Sequence, residues 1–308
     1  MIAVVCPGQG SQTPGFMLPW LDLPDFRSSI ESMQSASGID LIAHGTVSDA
    51  DTIRDTAVAQ PLIVSAGVAT LAALFELDGS VSSKIAGVAG HSVGEITAAV
   101  ASGIFTAEQG IKFVKERGDA MALAAGLQPT SMAAILGGEQ QVVESRLAEL
   151  GLEPANYNGG GQIVAAGSAA AIGELQANGP AGARVIPLQV AGAFHTRFMA
   201  PAVATLTDYS AGLQVNDPKT ALWSNAGGTL VGSGSEFVSL MVKQVKSPVR
   251  WDLCMAAMVD AGVTALIEVA PAGTLVGLAK RSMPGIETLA IKTPDNLEAA
   301  LQLIENHA

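Results

Sequence analysis

The sequence predicts an α/β protein in which a larger domain with a mostly parallel sheet carries an inserted, smaller subdomain. Apolar runs of strand length alternate with helical periodicity along most of the 308 residues, and strands that alternate with helices form parallel sheets. A composition of 49% apolar and 14% charged residues is typical of a folded protein with a large core. Between residues 127 and 195 the order changes to βαββαβ, which predicts a ferredoxin-like unit.

The first quarter of the chain begins with a predicted buried strand at 2–6, which leads into a glycine-rich loop at 7–12. The polar, partly acidic stretch at 22–56 predicts surface helices. The segment 57–75 is uncharged and long enough to cross a bilayer, but Pro61 and several polar side chains interrupt it. We therefore predict a buried helix that begins near Pro61 rather than a membrane span.

A second strand at 85–89 precedes a helix at 96–102. Thr106 and Gln109 then resemble a capping box that opens a helix extending through Met121. The other predicted elements are strands at 132–136, 154–158, 162–166, 184–190, 221–225, 265–269 and 287–291, and helices at 140–150, 169–177, 201–212, 236–243 and 251–261.

The pattern divides the chain into two units. Residues 1–126 and 196–308 are assigned to the larger domain, and 127–195 to the ferredoxin-like subdomain. The borders of the smaller unit are rich in glycine, as expected for an insertion into a larger fold.

One motif at the second predicted strand indicates nucleophilic chemistry. Gly90, Ser92 and Gly94 form a G-x-S-x-G sequence between a strand and a helix, the pattern of the nucleophile elbow in α/β-hydrolase-like catalytic domains. The serine of such an elbow has a strained backbone, and its neighbours two residues away must be small. The helix N-terminus that follows can stabilise an oxyanion. The alternative is a glycine-rich turn with a capping serine.

A serine nucleophile requires a base, and histidine is the usual one. The chain has four histidines. His44 and His307 lie in polar contexts, and the side chain of His91, beside Ser92, is expected to point away. His195 follows the last strand of the insertion, where catalytic loops gather in such sheets, and is the better candidate. A loop histidine with an ordinary structural partner is the alternative.

Charge and cysteine content exclude several classes of protein. A net charge of -12, with no basic run, argues against nucleic acid as the main partner. Cys6 and Cys254 are too few for a disulfide framework or a zinc site, so we expect two core residues and a reducing cytoplasm. The N-terminus lacks a basic region before its apolar run, and no signal peptide is expected.

Six short motifs together resemble one known family. The chain carries, in this order, Gly8-Gln9-Gly10-Ser11-Gln12, Gln60-Pro61, Gly90-His91-Ser92-Val93-Gly94-Glu95 with Arg117-Gly118, Gly192-Ala193-Phe194-His195, Ser247-Pro248-Val249-Arg250-Trp251 and Glu268-Val269-Ala270-Pro271. Across nearly its whole length it is similar to the malonyl-CoA:acyl carrier protein transacylases of fatty acid synthesis. Co-ordered motifs are far more specific than a single G-x-S-x-G.

The resemblance implies a role for each matching residue. Ser92 would attack the thioester of malonyl-CoA with His195 as its base, and the malonyl group would pass through a malonyl-serine intermediate to the phosphopantetheine thiol of acyl carrier protein. The backbone N–H groups of Gln9 and Val93 would form the oxyanion hole. Arg117 would bind the malonyl carboxylate through a bidentate pair. From its neighbours alone, a surface salt bridge is the simpler interpretation of Arg117.

Further roles follow from the same resemblance. The backbone carbonyl that orients the histidine is expected at Ser247. The asparagine of the family that lines the pocket corresponds to Asn156 or Asn158, and the pattern does not choose between them. Phe194, beside the histidine, is expected to crowd the α-methyl of methylmalonyl and so to favour malonyl.

The implied partners are malonyl-CoA and acyl carrier protein, with no nucleic acid, membrane, cofactor or metal. Because the carrier and this chain are both acidic, docking requires a local basic rim. The candidates are Lys280 and Arg281, within the wider group Lys243, Lys246, Arg250, Lys280 and Arg281; scattered solubilising charge is the alternative.

Three other functions remain open at this point. The motifs also fit a discrete acyltransferase of polyketide or malonate metabolism. A serine esterase or lipase would require a catalytic acid between Ser92 and His195, and no acid there has a distinctive setting. A non-catalytic binding protein on the same fold is the fourth possibility.

Overall fold

The computed structural model describes residues 1–77 and 84–307, which form ten strands and twelve α-helices within those ranges. The strands are β1 Ile2–Cys6, β2 Ile85–Gly90, β3 Thr130–Gly137, β4 Glu153–Gly159, β5 Gln162–Ser168, β6 Ala183–Pro187, β7 Leu222–Trp223, β8 Val249–Arg250, β9 Ala265–Glu268 and β10 Glu287–Ala290. The helices are α1 Pro24–Ser37, α2 Leu41–Thr46, α3 Thr56–Leu77, α4 Gly94–Ala101, α5 Ala107–Ala125, α6 Gln140–Glu149, α7 Ala169–Ala177, α8 Ala200–Ser210, α9 Gly234–Gln244, α10 Trp251–Asp260, α11 Thr274–Ser282 and α12 Leu297–His307.

The larger sheet has the strand order β10-β9-β1-β2-β7, and all of its strands are parallel. Its central strand β1 is buried on both faces. Ile2, Val4 and Cys6 point into one apolar cluster, while Ala3 and Val5 point into another. Helices therefore cover both sides, which explains why this strand is a continuous apolar run rather than an alternating one.

The smaller sheet has the order β6-β3-β5-β4-β8. Its first four strands are antiparallel neighbours and follow one another as βαββαβ, so the predicted ferredoxin-like unit is present. The fifth strand, β8, comes from later in the chain and pairs in parallel with β4. The exact division of the chain at residues 127 and 195 stays a prediction.

Alternation along β3 assigns its two faces to different cores. Ala133 and Ile135 pack into the core of the smaller unit, whereas Met132 and Ala134 join the cluster shared with the larger sheet. The small sheet thus presents an apolar face to the large domain.

The long apolar segment is a core helix, as predicted. Among the described residues, 56–75 is the one stretch long and apolar enough to cross a bilayer, and most of it is buried. The helix begins at Thr56, however, so the predicted start near Pro61 is wrong. The Asp55 carboxylate caps it by accepting a hydrogen bond from the N–H of Ala57 at 2.8 Å. Pro61 then lies inside the helix.

The other sequence-based boundaries agree with the structure to within a few residues, and the capping box of Thr106 and Gln109 at the start of α5 is confirmed. β6 ends at Pro187 rather than at Val190. The sequence pattern did not predict β8, α11 or α12. β8 has two residues, too few for a periodic signal, and α11 begins without a capping side chain at Gly273.

Two glycines let the strand-to-helix turn after β2 lie against β1. A Cβ on Gly90 would lie 2.0 Å from the backbone carbon of Gly94. A Cβ on Gly94 would lie 2.1 Å from the carbonyl oxygen of Cys6, at the end of the central strand. Both glycines are therefore required for steric reasons, as the motif predicted.

We expect Gly94→Ala to destabilise the protein by about 3 kcal/mol or more, because backbone atoms of β1 cannot move away from the new methyl group. Gly173→Ala is the matched control: this exposed position inside α7 has no atom within 4 Å of the new Cβ, and alanine there should add roughly 0.5–1 kcal/mol. Urea unfolding measures both changes. Equal stability of the Gly94 variant and the wild type would contradict the steric requirement.

Candidate active site

Ser92 lies at the tip of the turn with a φ of 53°, in the left-handed region that side chains rarely adopt. Asn225, just after β7, holds this turn in place. Its Oδ1 accepts a hydrogen bond from the Ser92 N–H at 2.8 Å, and its Nδ2 donates to the carbonyl of Gly90 at 2.8 Å. The strained conformation is thus supported from the neighbouring strand.

The structure brings Ser92 and His195 together, although they are separated by 103 positions in the chain. Their Oγ and Nε2 atoms are 2.7 Å apart. The other ring nitrogen, Nδ1, lies 2.8 Å from the carbonyl oxygen of Gln244. Because that carbonyl only accepts, Nδ1 carries the proton and Nε2 is left to accept from the serine hydroxyl.

His195 also has a positive φ, 62°, which no sequence pattern predicted. Its backbone N–H donates to the carbonyl of Val245 at 3.0 Å. The ring and the backbone of His195 are therefore both held by the end of helix α9.

The predicted orienting carbonyl, that of Ser247, is not the main partner of His195. The hydrogen bond goes to Gln244, three residues earlier, and the Ser247 carbonyl contributes less to the pKa of the ring. Gln244 is the last residue of α9, so its carbonyl has no partner within the helix and accepts both from His195 and, at 3.0 Å, from the N–H of Ser247. The negative end of the helix dipole then faces the imidazole.

Arg117 is 1% exposed, so the surface salt bridge suggested by its neighbours in the sequence is wrong. Its guanidinium donates to the side-chain oxygens of Gln60 at 2.6 Å and Gln244 at 2.9 Å, and its Nη2 lies 3.4 Å from the Ser92 Oγ. Within the described ranges 1–77 and 84–307, no carboxylate comes within ion-pair distance of this cation. A permanent positive charge is thus buried next to the nucleophile with neutral partners.

A cavity of about 480 Å³ opens above Ser92, between the two sheets. The small sheet contributes Met132, Ala134 and Val164 to its wall, and the loop before His195 contributes Phe194. Helix α11 forms the opposite side. The cavity is therefore an apolar channel that ends at a serine, a histidine and a buried cation.

Two backbone N–H groups border this cavity beside Ser92. Gln9, in the loop after β1, and Val93, at the N-terminus of α4, both line it. In the part of the chain that the structure describes, neither N–H donates a hydrogen bond to a protein acceptor. They are therefore available to the oxyanion that forms on the carbonyl oxygen of an acyl group attacked by Ser92.

Burial shapes the protonation of the site. Desolvation, and then the nearby charge of Arg117, lower the pKa of His195 to about 3, so the imidazole is neutral at pH 7 and can accept a proton. Glu95, one turn beyond Ser92, is 1% exposed, and burial raises its pKa to about 7. Burial raises the thiol pKa values of Cys6 and Cys254, both unpaired core residues as predicted.

His91 lines the cavity rather than pointing away from it. Its Nε2 lies 2.9 Å from the Oδ1 of Asn158, and its ring makes an edge contact with Trp251. Asn156 also borders the cavity. Both asparagines that the sequence left open thus reach the site, and Asn158 is the one tied to the turn of the nucleophile.

The predicted basic residues do not form one cluster. Lys280 and Arg281 are exposed at the end of α11, where Arg281 borders the cavity and donates to Gln162 at 2.8 Å. Lys243 and Lys246 border a different groove, beside α8. Arg250 is paired with Asp252. Of the five candidates, Arg281 is therefore the one beside the opening of the cavity.

Four residues that hold the site together were not given a role from the sequence: Gln60, Glu95, Asn225 and Gln244. Glu95 lies in the motif that contains Ser92, and Gln60, which binds Arg117, lies in the Gln60-Pro61 motif. Their membership of these motifs was the only sign in the sequence that they belong to the site. Gln244 and Asn225 lie outside all six motifs that resemble the family. Nothing in a single sequence marks them, because their partners are distant in the chain.

Residues 3–291 match the family model described as the acyl transferase domain. The chain belongs to this acyl transferase family. Its similarity to the malonyl CoA-acyl carrier protein transacylase of Mycobacterium tuberculosis is 46% identity over 305 residues, 98% of this chain and 100% of that protein. The transacylase of the same name from Escherichia coli is 31% identical over 98% of this chain and 99% of its own length.

A comparison of this acyl transferase with solved structures finds members of the same family. The crystal structure of MCAT from Mycobacterium tuberculosis matches with a TM-score of 0.93 and 45% identity, covering 97% of this chain and 99% of that chain. A malonyl-transacylase solved in complex with a type II PKS acyl-carrier protein matches with a TM-score of 0.92 and 28% identity, covering 98% and 99%. The α/β architecture with its mostly parallel sheet is thus the fold of this family.

Proposed function

We propose that this acyl transferase moves the malonyl group of malonyl-CoA to the phosphopantetheine thiol of acyl carrier protein, supplying extender units for fatty acid synthesis. The observation that carries the proposal is the buried guanidinium of Arg117, 3.4 Å from the Ser92 hydroxyl. A serine acyltransferase has no need of a permanent cation in its acyl pocket unless the acyl group is an anion. The relatives named malonyl CoA-acyl carrier protein transacylase support the same substrate.

The first half-reaction is acylation of Ser92. His195 accepts the hydroxyl proton at Nε2 as the serine oxygen attacks the thioester carbonyl, while Nδ1 keeps its bond to the Gln244 carbonyl. The negative charge that develops on the carbonyl oxygen is bound by the N–H groups of Gln9 and Val93. Return of the proton from His195 to the departing sulfur releases CoA and leaves malonyl-Ser92.

The second half-reaction reverses these steps with a different thiol. The phosphopantetheine of acyl carrier protein enters the cavity left by CoA, His195 removes its thiol proton, and the thiolate attacks malonyl-Ser92. The same two N–H groups bind the second oxyanion, and its collapse breaks the serine ester bond as the proton passes from His195 to the Ser92 Oγ. The scheme is ping-pong, and because all of its groups come from the chain and the two substrates, it uses no cofactor.

Selection among acyl groups rests on two side chains. Arg117 pairs with the malonyl carboxylate through its planar fork, and acetyl would leave that fork without its partner, a penalty of roughly 1–3 kcal/mol for an unsatisfied buried group. Phe194 borders the cavity and would crowd an α-methyl group, which favours malonyl over methylmalonyl.

A second candidate is transfer to the carrier of a polyketide synthase, which the relative solved with a type II PKS acyl-carrier protein favours. The chemistry is identical and the carrier alone distinguishes the two. A serine esterase or lipase would orient its histidine with a carboxylate, whereas the ring of His195 bonds to a backbone carbonyl. We also propose a cytoplasmic location, in keeping with two unpaired buried cysteines.

Mass spectrometry of the protein after exposure to equal amounts of malonyl-, methylmalonyl- and acetyl-CoA tests the chemistry directly. We expect a malonyl adduct on Ser92 to dominate, with no adduct on the Ser92→Ala variant. Acyl carrier protein should release it faster than water does. Release by water at the same rate would indicate an esterase, and equal methylmalonyl labelling would remove Phe194 from a role in selection.

Replacing Arg117 by alanine should lower kcat/KM for malonyl-CoA by about ten- to a hundredfold, the effect of losing a hydrogen-bonded charge pair. Transfer of acetyl should fall much less, and it serves as the internal check on folding. Lys112→Ala removes an exposed cation from the same helix and should change neither rate. Equal losses for malonyl and acetyl would mean that Arg117 does not contact the acyl carboxylate.

We propose that Lys280 and Arg281 dock the acidic carrier protein. Reversing both charges with glutamate should slow transfer to the carrier by about tenfold at low salt, and the difference should shrink as salt screens the contact. The double reversal of Lys243 and Lys246, also exposed but beside another groove, is the control for net charge. Unchanged transfer in the first variant, or equal loss in both, would rule out this docking site.

A further inference from the structure

The side-chain amide of Gln244 separates the cation of the site from a buried carboxylate. Its Oε1 accepts from Arg117 at 2.9 Å. Its Nε2 donates to the Oε2 of Glu95 and, at 3.1 Å, to the Oδ1 of Asn225. Glu95 and Arg117 therefore lie at opposite ends of one amide, with all three side chains buried.

Glu95 is the charged member of the three acceptors that fix which way round this amide lies; the Oδ1 of Asn225 and, at 3.3 Å, the carbonyl of Ser92 are the others. An ionised carboxylate only accepts hydrogen bonds, so the NH₂ group of Gln244 must face it and the oxygen must face Arg117. The other carboxylate oxygen accepts from the N–H of Asn225 at 2.6 Å. Asn225 in turn holds the backbone of Ser92. One carboxylate thus contacts the supports of both the cation and the nucleophile.

We propose that Glu95 is a positioning residue for the binding of the acyl carboxylate: it fixes the Gln244 amide so that Arg117 is held by neutral oxygens and the substrate supplies its first direct carboxylate partner. The inference rests on the proposed transfer of an acyl group that carries a carboxylate.

The distance between the two charges is the physical reason for such an arrangement. A carboxylate in direct contact with Arg117 would occupy the planar fork and compete with the acyl group. Placed behind Gln244, the same charge still offsets part of the cost of burying the guanidinium, because electrostatic attraction acts over longer distances in a medium of low dielectric. Arg117 therefore stays charged, and the first carboxylate that it contacts directly is that of the substrate.

The protonation of Glu95 supports this role. Burial raises the pKa of Glu95 to about 7. The N–H of Asn225, the side chain of Ser224 and the charge of Arg117 each lower this pKa, but by less than burial raises it. The other titratable group that interacts with Glu95 is the Cys254 thiol of α10, whereas the Cys6 thiol of β1 interacts with Glu268 instead.

A pH dependence follows from the sign of this shift. Above about pH 7 the carboxylate is ionised and accepts from both neighbours. Below it, one oxygen carries a proton and can no longer accept from Gln244 or Asn225, so malonyl transfer should fall. His195, whose pKa is lowered to about 3, titrates at a much lower pH and does not produce this limb.

The first test is Glu95→Gln, assayed for malonyl and acetyl transfer from pH 5.5 to pH 9. The new amide can accept from one neighbour only, so the Gln244 amide should lose its charged acceptor and hold Arg117 less firmly. We expect the ratio of malonyl to acetyl kcat/KM to fall by about tenfold or more at pH 8, chiefly through KM for malonyl-CoA. The acid limb near pH 7 should disappear. Glu108→Gln is the matched control. Glu108 is the second residue of α5, as Glu95 is of α4, but its side chain is exposed, so this variant should behave as wild type.

A second variant keeps the test decisive if Glu95→Gln unfolds. In the double variant Glu95→Gln with Gln244→Glu, the residue at 95 can donate to the new carboxylate and still accept from Asn225, so the buried charge is conserved. That charge now touches Arg117 directly. The kcat/KM for malonyl transfer should fall by about a hundredfold, while that for acetyl transfer should fall much less.

The outcomes separate this inference from the proposed function. If the wild type does not transfer malonyl, the proposed function fails. Suppose instead that the wild type transfers malonyl. If the Glu95→Gln variant then keeps the acyl preference and the acid limb of the wild type, Glu95 has a structural role alone. The same conclusion holds if that variant loses malonyl and acetyl transfer equally. Wild-type malonyl preference in the double variant would likewise overturn the inference.

Discussion

The active site depends on the close approach of two backbone segments, the turn after β2 and the end of β1. Because Gly94 lies against the carbonyl of Cys6, the turn cannot relax, and Ser92 is forced into a left-handed conformation at the edge of the sheet. The hydroxyl is thereby raised above the strands, where it meets an imidazole from another part of the chain.

Much of this arrangement could be predicted from the sequence, because it rests on local rules. A buried strand, a G-x-S-x-G turn and a capping box each leave a short periodic or steric signature, and the fold class followed from their order. The catalytic pair could also be predicted, because the chain has four histidines from which to choose the base. Residues from four of the six family motifs line one cavity.

The rest could not be predicted because it depends on partners that are far apart in the chain. The burial of Arg117 is set by packing between α3 and α5, and its neighbours in the sequence suggested the opposite. The orienting carbonyl lies at Gln244 because α9 ends there, and a helix end is the least certain feature of a sequence-based assignment. Asn225 acts across two strands, with no local signal at all.

Strand β8 has a consequence for how the protein is made on the ribosome. It completes the edge of the small sheet with residues 249–250, about ninety positions after β4, and β1 likewise pairs with β9 from the last quarter of the chain. During synthesis both partners emerge long before their neighbours, so open strand edges are exposed to other nascent chains. The small sheet therefore cannot be completed until synthesis has passed residue 250, and the large sheet until it has passed residue 290.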